Sequence, residues 1–268
     1  MIRGQTRGQD SSDSGPPLAA RIRILETTDL HMQLMGYDYF ADQPTPDLGL
    51  IPLAGLIEAH REDLHVTTFL FDNGDFLQGN PLADYVTSDA QAGTPHPMIA
   101  AFNALSYDAV ALGNHEFNYG LDVLDSVLST ADFPALCANV KRTDGSDLVP
   151  PYVIIDKQIM CSDGHLRQLR VGVIGLVPPQ IVRWDKPALA GQLTACDIVE
   201  TARHAALHGL VCSPAPLSSV SMAPLVCNLV AIAQLVHDLG RSRLCGDACV
   251  HCLPFGWHEL PACHLLQC

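Results

Sequence analysis

The chain has 268 residues, 48% of them hydrophobic, which is enough to bury a sizeable core and excludes disorder as its main state. Only 16% are charged, and Asp and Glu outnumber Lys and Arg by 29 to 15, which excludes a surface that grips a nucleic-acid polymer by neutralising its phosphates. A chain of this charge that handles phosphate groups needs bound cations to supply positive charge.

Residues 1–20 are rich in Gly, Ser, Asp and Pro and lack the apolar run of a signal peptide, so they read as a disordered leader. From Arg21 to residue 207, short β-branched or apolar runs alternate with amphipathic stretches, the pattern of an α/β (α+β) layered domain. Strands are predicted at Ile22–Thr27, Val66–Phe71, Ala109–Leu112, Pro134–Ala138, Tyr152–Ile155 and Arg170–Leu176. Leu50, Leu53, Ala54 and Ile57 repeat at helical spacing, as do Met98, Ala101, Phe102 and Leu105, so each stretch has one apolar face for a sheet. Asp122, Val123, Asp125 and Leu128 suggest a third helix and Ile198 to Ala206 a fourth. The apolar stretch Val220–Val236 is interrupted by Pro224, Asn228 and Gln234 and makes a poor membrane span.

Three predicted strands run into polar metal-ligand types. Ile22–Thr27 leads to Asp29-Leu30-His31, Val66–Phe71 to Asp72-Asn73-Gly74-Asp75, and Ala109–Leu112 to Gly113-Asn114-His115-Glu116. Carboxyl ends of strands are where open sheets build their sites. Dications take carboxylate oxygen and imidazole nitrogen, and a pair of ions needs a bridging carboxylate, for which Asp75 is the candidate. Asp29 and His31, two apart on an extended chain, can chelate one ion, and Asn114 offers an amide oxygen to the other. Two carboxylates about 4 Å apart repel by roughly 4 kcal/mol at an effective dielectric near 20, so Asp29 and Asp75 converge only around a cation. His115 then faces the substrate, to stabilise a phosphoryl oxygen or protonate a leaving group, and Asn118 orients its imidazole. Gly74 and Gly113 let the backbone turn sharply. His60, His65, His96 and His165 read as surface or loop residues. Taken alone, Asp29 and His31 read more readily as a capped turn than as metal ligands, and a lone Gly-Asn-His-Glu is only somewhat more specific; their order at three strand ends favours a metal site.

The runs TTDLH (Thr27 to His31), DNGDFLQGNPLADY (Asp72 to Tyr85) and GNHEFNYG (Gly113 to Gly120) resemble the first three motif blocks of the calcineurin-like metallophosphoesterases, within them the 5'-nucleotidase group. Tyr37-Asp38-Tyr39, Asn118 where 5'-nucleotidases carry Asp, and VPPQIVRWDKPALAG (Val177 to Gly191) are similar to the bacterial 2',3'-cyclic-nucleotide 2'-phosphodiesterase/3'-nucleotidases. The resemblance implies a two-sheet sandwich flanked by helices, here incomplete at its carboxy-terminal end. It implies two divalent metal ions (Mn, Co, Zn or Mg), with Asp29 and His31 on the first, Asp75 bridging, Asn114 on the second, and His115 acting on the phosphoryl group. The implied reaction opens a 2',3'-cyclic nucleotide to the 3'-nucleotide and then releases nucleoside and phosphate. A 5'-nucleotidase or sugar-nucleotide hydrolase is the alternative enzyme, and a non-catalytic metal-binding remnant the alternative of another class. The implied partner is a nucleotide substrate, with no nucleic-acid polymer, no membrane span and a monomeric state. Intact relatives are expected in the periplasm, and this chain, read from its first residue, in the cytoplasm.

Residues 208–268 read differently. After residue 207 only Asp238, Arg241, Arg243, Asp247 and Glu259 carry charge, while seven of the ten cysteines fall there. The family's later Ala-His-Ser-Gly and Gly-His-x-His blocks do not occur, and no nucleotide-binding carboxy-terminal domain follows, so the sequence predicts a truncated and impaired enzyme. The tail fits either an out-of-frame stretch or a zinc module built on Cys245, Cys249 and Cys252 with His251, His258, Cys263 and His264 near.

Overall fold

The computed structural model describes residues 19–46, 48–88, 95–189, 191–211, 228–230 and 250–252. Strand β1 (Ile22–Thr27) is followed by the short pair β2 (Tyr37–Asp38) and β3 (Gln43–Pro44), helix α1 (Leu50–Arg61) and strand β4 (Thr67–Asp72). Helices α2 (Pro81–Val86) and α3 (Pro97–Ala104), strand β5 (Ala109–Ala111), helix α4 (Leu121–Leu128) and strands β6 (Ala135–Leu136) and β7 (Val140–Arg142) come next. A long hairpin, β8 (Tyr152–Met160) with β9 (Leu166–Ile174), leads to the helical turns α5 (Ile181–Trp184) and α6 (Lys186–Leu189) and to β10 (Leu193–Ala195). Helix α7 (Ile198–Val211) and the short strands β11 (Asn228–Val230) and β12 (Val250–Cys252) complete the described elements.

Side-chain alternation along the strands decides the layering. In β1 and β4, Leu25 and Leu70 join Ile57, Phe102 and Leu124 in a core between sheet and helices. Their neighbours Ile24, Phe69 and Phe71 point the other way and pack against Val171 and Val173 of β9. A strand with two buried faces belongs at the centre of a sandwich. The main sheet has the order β12-β1-β4-β5-β6, with every pair parallel. The facing sheet has the order β11-β9-β8. The edges of β1 and β9, open in a reading that lacks the later family blocks, each carry a three-residue parallel strand. The zinc reading of the tail lies outside the described residues apart from the backbone of β12. Among the described residues, no helix is long and apolar enough to cross a membrane.

Several boundaries differ from expectation for physical reasons. Helix α4 buries Leu121, Leu124 and Val127, so its inward stripe is one position away from the predicted set. The β8–β9 hairpin runs five residues past Ile155, because its outer half alternates polar residues toward solvent and loses the apolar signal. Helix α2 was not predicted, although its start is well marked: Pro81 occupies the first turn and the Asn80 side chain accepts from Ala83 N–H at 3.1 Å. Ala20 bridges to Cys161 and Ala19 N–H donates to Ser162 Oγ at 3.1 Å, and the rest of the predicted leader lies outside the described residues.

His96 is also corrected from surface to interior. It precedes Pro97 at the start of α3, is 5% exposed, and has no partner for either ring nitrogen among the described residues. Burial lowers its pKa from 6.5 to about 4. A base with a depressed folded pKa binds its proton more tightly in the unfolded chain, so its share of stability is full above the unfolded value and is lost as pH falls toward 4. Urea unfolding at a series of pH values is expected to show a loss of roughly 3 kcal/mol across that window that His96→Leu removes. An unchanged acid slope in the variant would disprove the assignment.

Candidate active site

Parallel pairing of β1, β4 and β5 brings their three carboxyl ends to one edge of the sheet. The loops that leave them continue the pairing: Asp29 N–H donates to Gly74 O at 3.0 Å, His31 N–H to Asp75 O at 2.8 Å and Met32 N–H to Phe76 O at 2.9 Å. Residues 29–32 are not extended, as the sequence suggests, but coiled. Asp29, His31, Met32 and Asp75 all have left-handed backbones, with φ of 53°, 45°, 57° and 60°. Such residues cost about 1 kcal/mol or more each and cluster where the surroundings hold them, commonly at functional sites.

What holds Asp75 is Glu116, a fully buried carboxylate, and residues 29–32 are held in turn by their pairing with residues 74–76. Its Oε2 accepts from Asp75 N–H at 2.8 Å and Gly113 N–H at 2.6 Å, and its Oε1 from Phe76 N–H at 2.7 Å and Leu77 N–H at 3.1 Å. Burial raises its pKa to about 7, with the neighbouring Asp75 charge adding to the rise and the N–H donors opposing it. Asp75 is 5% exposed, and its pKa is raised chiefly by burial, with Asp29 adding to the rise, while the His115 N–H, donating to Asp75 Oδ1 at 2.8 Å, pulls it down. Gly74, with φ of 94°, makes the turn expected of it. Gly113 has another reason: a Cβ there would meet Asp75 Oδ1 at 2.3 Å, so the position must be bare for the carboxylate to lie against the backbone.

Both imidazoles are oriented by oxygens of Gln78. His31 Nδ1 lies 2.7 Å from the Gln78 carbonyl, which can only accept, so Nδ1 carries the proton and Nε2 keeps its lone pair. That Nε2 is 3.8 Å from Asp29 Oδ1. His115 Nδ1 lies 2.9 Å from Gln78 Oε1 and 2.7 Å from Asn118 Oδ1, and Asn118 Nδ2 donates to Asp185 Oδ1 at 2.6 Å. The two rings meet edge to face with centroids 4.8 Å apart. His31, Asp75 and His115 each offer a ligand atom within 4.8 Å of one another. Asn114, half-buried and beside His115, makes no side-chain hydrogen bond among the described residues.

A carboxylate and two imidazoles, with Asp29 alongside, form a donor set suited to a borderline dication such as Zn²⁺, Mn²⁺ or Co²⁺. His115, expected to face substrate only, also lies within reach of such an ion. Sequence reasoning gave no role to Glu116, Gln78 or Asp185. Glu116, Gln78 and Asp185 all stood inside the quoted motifs, but nothing in the spacing separates a buried clamp from a ligand or marks which oxygen will meet an imidazole.

Residues 22–211 match the calcineurin-like phosphoesterase family model. The chain is 50% identical over 186 residues to the trifunctional nucleotide phosphoesterase protein YfkN of Bacillus subtilis, a match covering 68% of this chain and 13% of that one. It is 47% identical over 184 residues to the 2',3'-cyclic-nucleotide 2'-phosphodiesterase/3'-nucleotidase of Yersinia enterocolitica, covering 68% of this chain and 28% of that one. The crystal structure of the calcineurin-like phosphoesterase YfkN from Bacillus subtilis superposes with a TM-score of 0.66 at 48% identity, over 70% of this chain and 57% of that one. The matched segment thus spans less than a third of either curated relative.

The packing of Asp75 against Gly113 makes a direct prediction. Gly113→Ala is expected to displace the carboxylate and weaken Mn²⁺ binding, read by isothermal titration, by about tenfold or more, equivalent to about 1.4 kcal/mol. Circular dichroism should stay unchanged. Equal affinity in the variant would show that Asp75 is not a ligand.

Proposed function

Because the chain belongs to the calcineurin-like phosphoesterase family, we propose that it carries the metal-dependent phosphoric-ester hydrolase site of a nucleotide phosphodiesterase/nucleotidase. The proposed substrate is a 2',3'-cyclic nucleotide, opened to the 3'-nucleotide and then hydrolysed to nucleoside and phosphate, by analogy with the activity named for the Yersinia enterocolitica relative. The observation that carries this reading is the convergence of His31, Asp75 and His115 within 4.8 Å at the carboxyl edge of a parallel sheet. The compartment that goes with the reading is the periplasm.

In this reading Asp29, His31, Asp75 and Asn114 hold two divalent ions. When bound, such ions supply positive charge to the phosphoryl oxygens and acidify a coordinated water. The remaining chemistry belongs to the protein. Asp75 and Asp29 place negative charge where cations, and not a bare phosphate, are welcome, in line with a net charge of −14. His115 acts on the phosphoryl group: as an imidazolium it keeps both oxygen acceptors at Nδ1 and presents the Nε2 proton to a phosphoryl or leaving oxygen. Asn118 keeps the ring from rotating.

Hydrolysis of bis-p-nitrophenyl phosphate and of 2',3'-cyclic AMP, with 5'-AMP as comparison and Mn²⁺ or Co²⁺ added, tests the proposal. Activity that prefers the cyclic nucleotide and falls about 100- to 1000-fold in Asp75→Asn is expected. Preference for 5'-AMP would instead indicate a 5'-nucleotidase. No turnover above the Asp75→Asn control, with Mn²⁺ still bound by the unaltered chain, would make this a metal-binding remnant.

A further inference from the structure

Asp185 lies 67 residues from Asn118 in sequence and on no expected list of site residues, yet its Oδ1 accepts from Asn118 Nδ2 at 2.6 Å. A side-chain amide has one donating and one accepting end, and a carboxylate only accepts. The Asn118 amide therefore turns its nitrogen to Asp185 and its oxygen to His115. Reversed, it would set oxygen against oxygen at Asp185. The His115 nitrogen facing Asn118 Oδ1 at 2.7 Å must then carry hydrogen, so Nδ1 is protonated and Nε2 is the atom left facing His31 and Asp75. Imidazole tautomers are set by the bond that the other nitrogen makes.

Gln78 Oε1 also reaches His115 Nδ1, but Gln78 Nε2 has no partner among the described residues, so nothing else dictates which way that amide points. Asp185, by contrast, is anchored. Its N–H donates to Ile181 O, its carbonyl accepts from Ala188 and Leu189 N–H, all at 2.9 Å, and Ile181 and Leu189 are buried.

We propose that Asp185 is a positioning residue for His115: through the Asn118 amide it selects the Nδ1–H tautomer and aims Nε2 at the reacting group. This rests on the reading of His115 given above, and the test separates the two. Four variants of the full chain serve: Asp185→Ala, Asp185→Asn, Asn118→Asp and the double Asn118→Asp/Asp185→Asn. The first readout needs no turnover: imidazole ¹⁵N correlation spectra of the metal-free chain under alkaline conditions, with the His115 signals identified by their loss in His115→Ala. The second is kcat and KM on 2',3'-cyclic AMP with Mn²⁺.

In Asp185→Ala, His115 is expected to lose its single Nδ1–H tautomer, and kcat to fall roughly 10- to 100-fold with KM little changed. Asp185→Asn presents an amide that can turn either end to Asn118, so it no longer fixes that orientation and should lose the single tautomer as well. Asn118→Asp places a group that can only accept at His115 Nδ1, so it should keep the Nδ1–H tautomer, and in the double variant the carboxylate introduced at position 118 should restore the tautomer that Asp185→Asn alone loses. A His115 that stays in one tautomer in Asp185→Ala, or a double variant no better than Asp185→Asn alone, overturns the proposal. If Asp185→Ala does not fold, the comparison of Asp185→Asn with the double variant decides. A tautomer change without any hydrolysis by the unaltered chain would uphold the positioning role and defeat the functional reading alone.

Discussion

Four backbone N–H groups point at one carboxylate, and the geometry of the site depends on that arrangement. Removing a carboxylate from water costs several kcal/mol unless its oxygens are fully satisfied, and Glu116 is satisfied by Asp75, Phe76, Leu77 and Gly113. Those donors belong to two different loops, one after β4 and one after β5, so the buried charge ties the loops to each other. The left-handed backbone of Asp75 is then tolerable, because reverting to an ordinary conformation would turn its N–H away from Glu116 and take one of four donors from a buried carboxylate. The pairing of 29–32 with 74–76 passes the same constraint to Asp29 and His31.

Beneath this clamp lies apolar packing that gives it something rigid to act against. Phe76, one residue past Asp75, is fully buried against Phe102, with ring centroids 5.3 Å apart, and Phe102 in turn meets Tyr107 and Phe133. Asp72 is buried below the turn, accepting from Thr27 Oγ1 at 2.6 Å and Gly74 N–H at 2.9 Å. The loop that carries Asp75 is thus fixed at its start by Asp72, in its middle by Glu116 and from below by an aromatic cluster. Asn80 closes it, donating to the His31 carbonyl while capping α2.

The strands that carry the site were readable because they are short, apolar and doubly buried, and because each runs straight into its ligand-type residues: β1 matches its predicted bounds, and β4 and β5 differ by one residue at their ends. Asp29, His31, Asp75, Asn114 and His115 could be nominated from that adjacency. Their supports could not. Glu116 looks like any charged residue until its burial is known, Gly113 looks like a turn glycine although its need is for space, and Asp185 meets Asn118 from 67 residues away, a pairing that no local pattern encodes. His96 shows the opposite error: it does lie in extended backbone just before α3, but a polar residue beside Pro97 reads as exposed, whereas it is buried. Local pattern reports which face is apolar; it does not report where a distant carboxylate will be placed.

Gln78 and Asn118 divide the work of aiming the two imidazoles, and the division has a chemical logic. His31 takes its acceptor from a backbone carbonyl, which cannot flip, and so its free Nε2 is settled by main-chain geometry alone. His115 takes its acceptors from two side-chain amides, either of which could present nitrogen or oxygen, so its tautomer needs a further residue to remove the ambiguity. A ligand position can rest on the rigid device, since an ion that arrives finds the lone pair already directed and little reorganisation is required. A group that must hold and release a proton near a changing phosphoryl charge needs both ring nitrogens accommodated in either charge state. Two oxygens at Nδ1 do that, because they accept from the neutral ring and from the imidazolium alike, whereas a donor at that position would have to turn away each time the proton arrived.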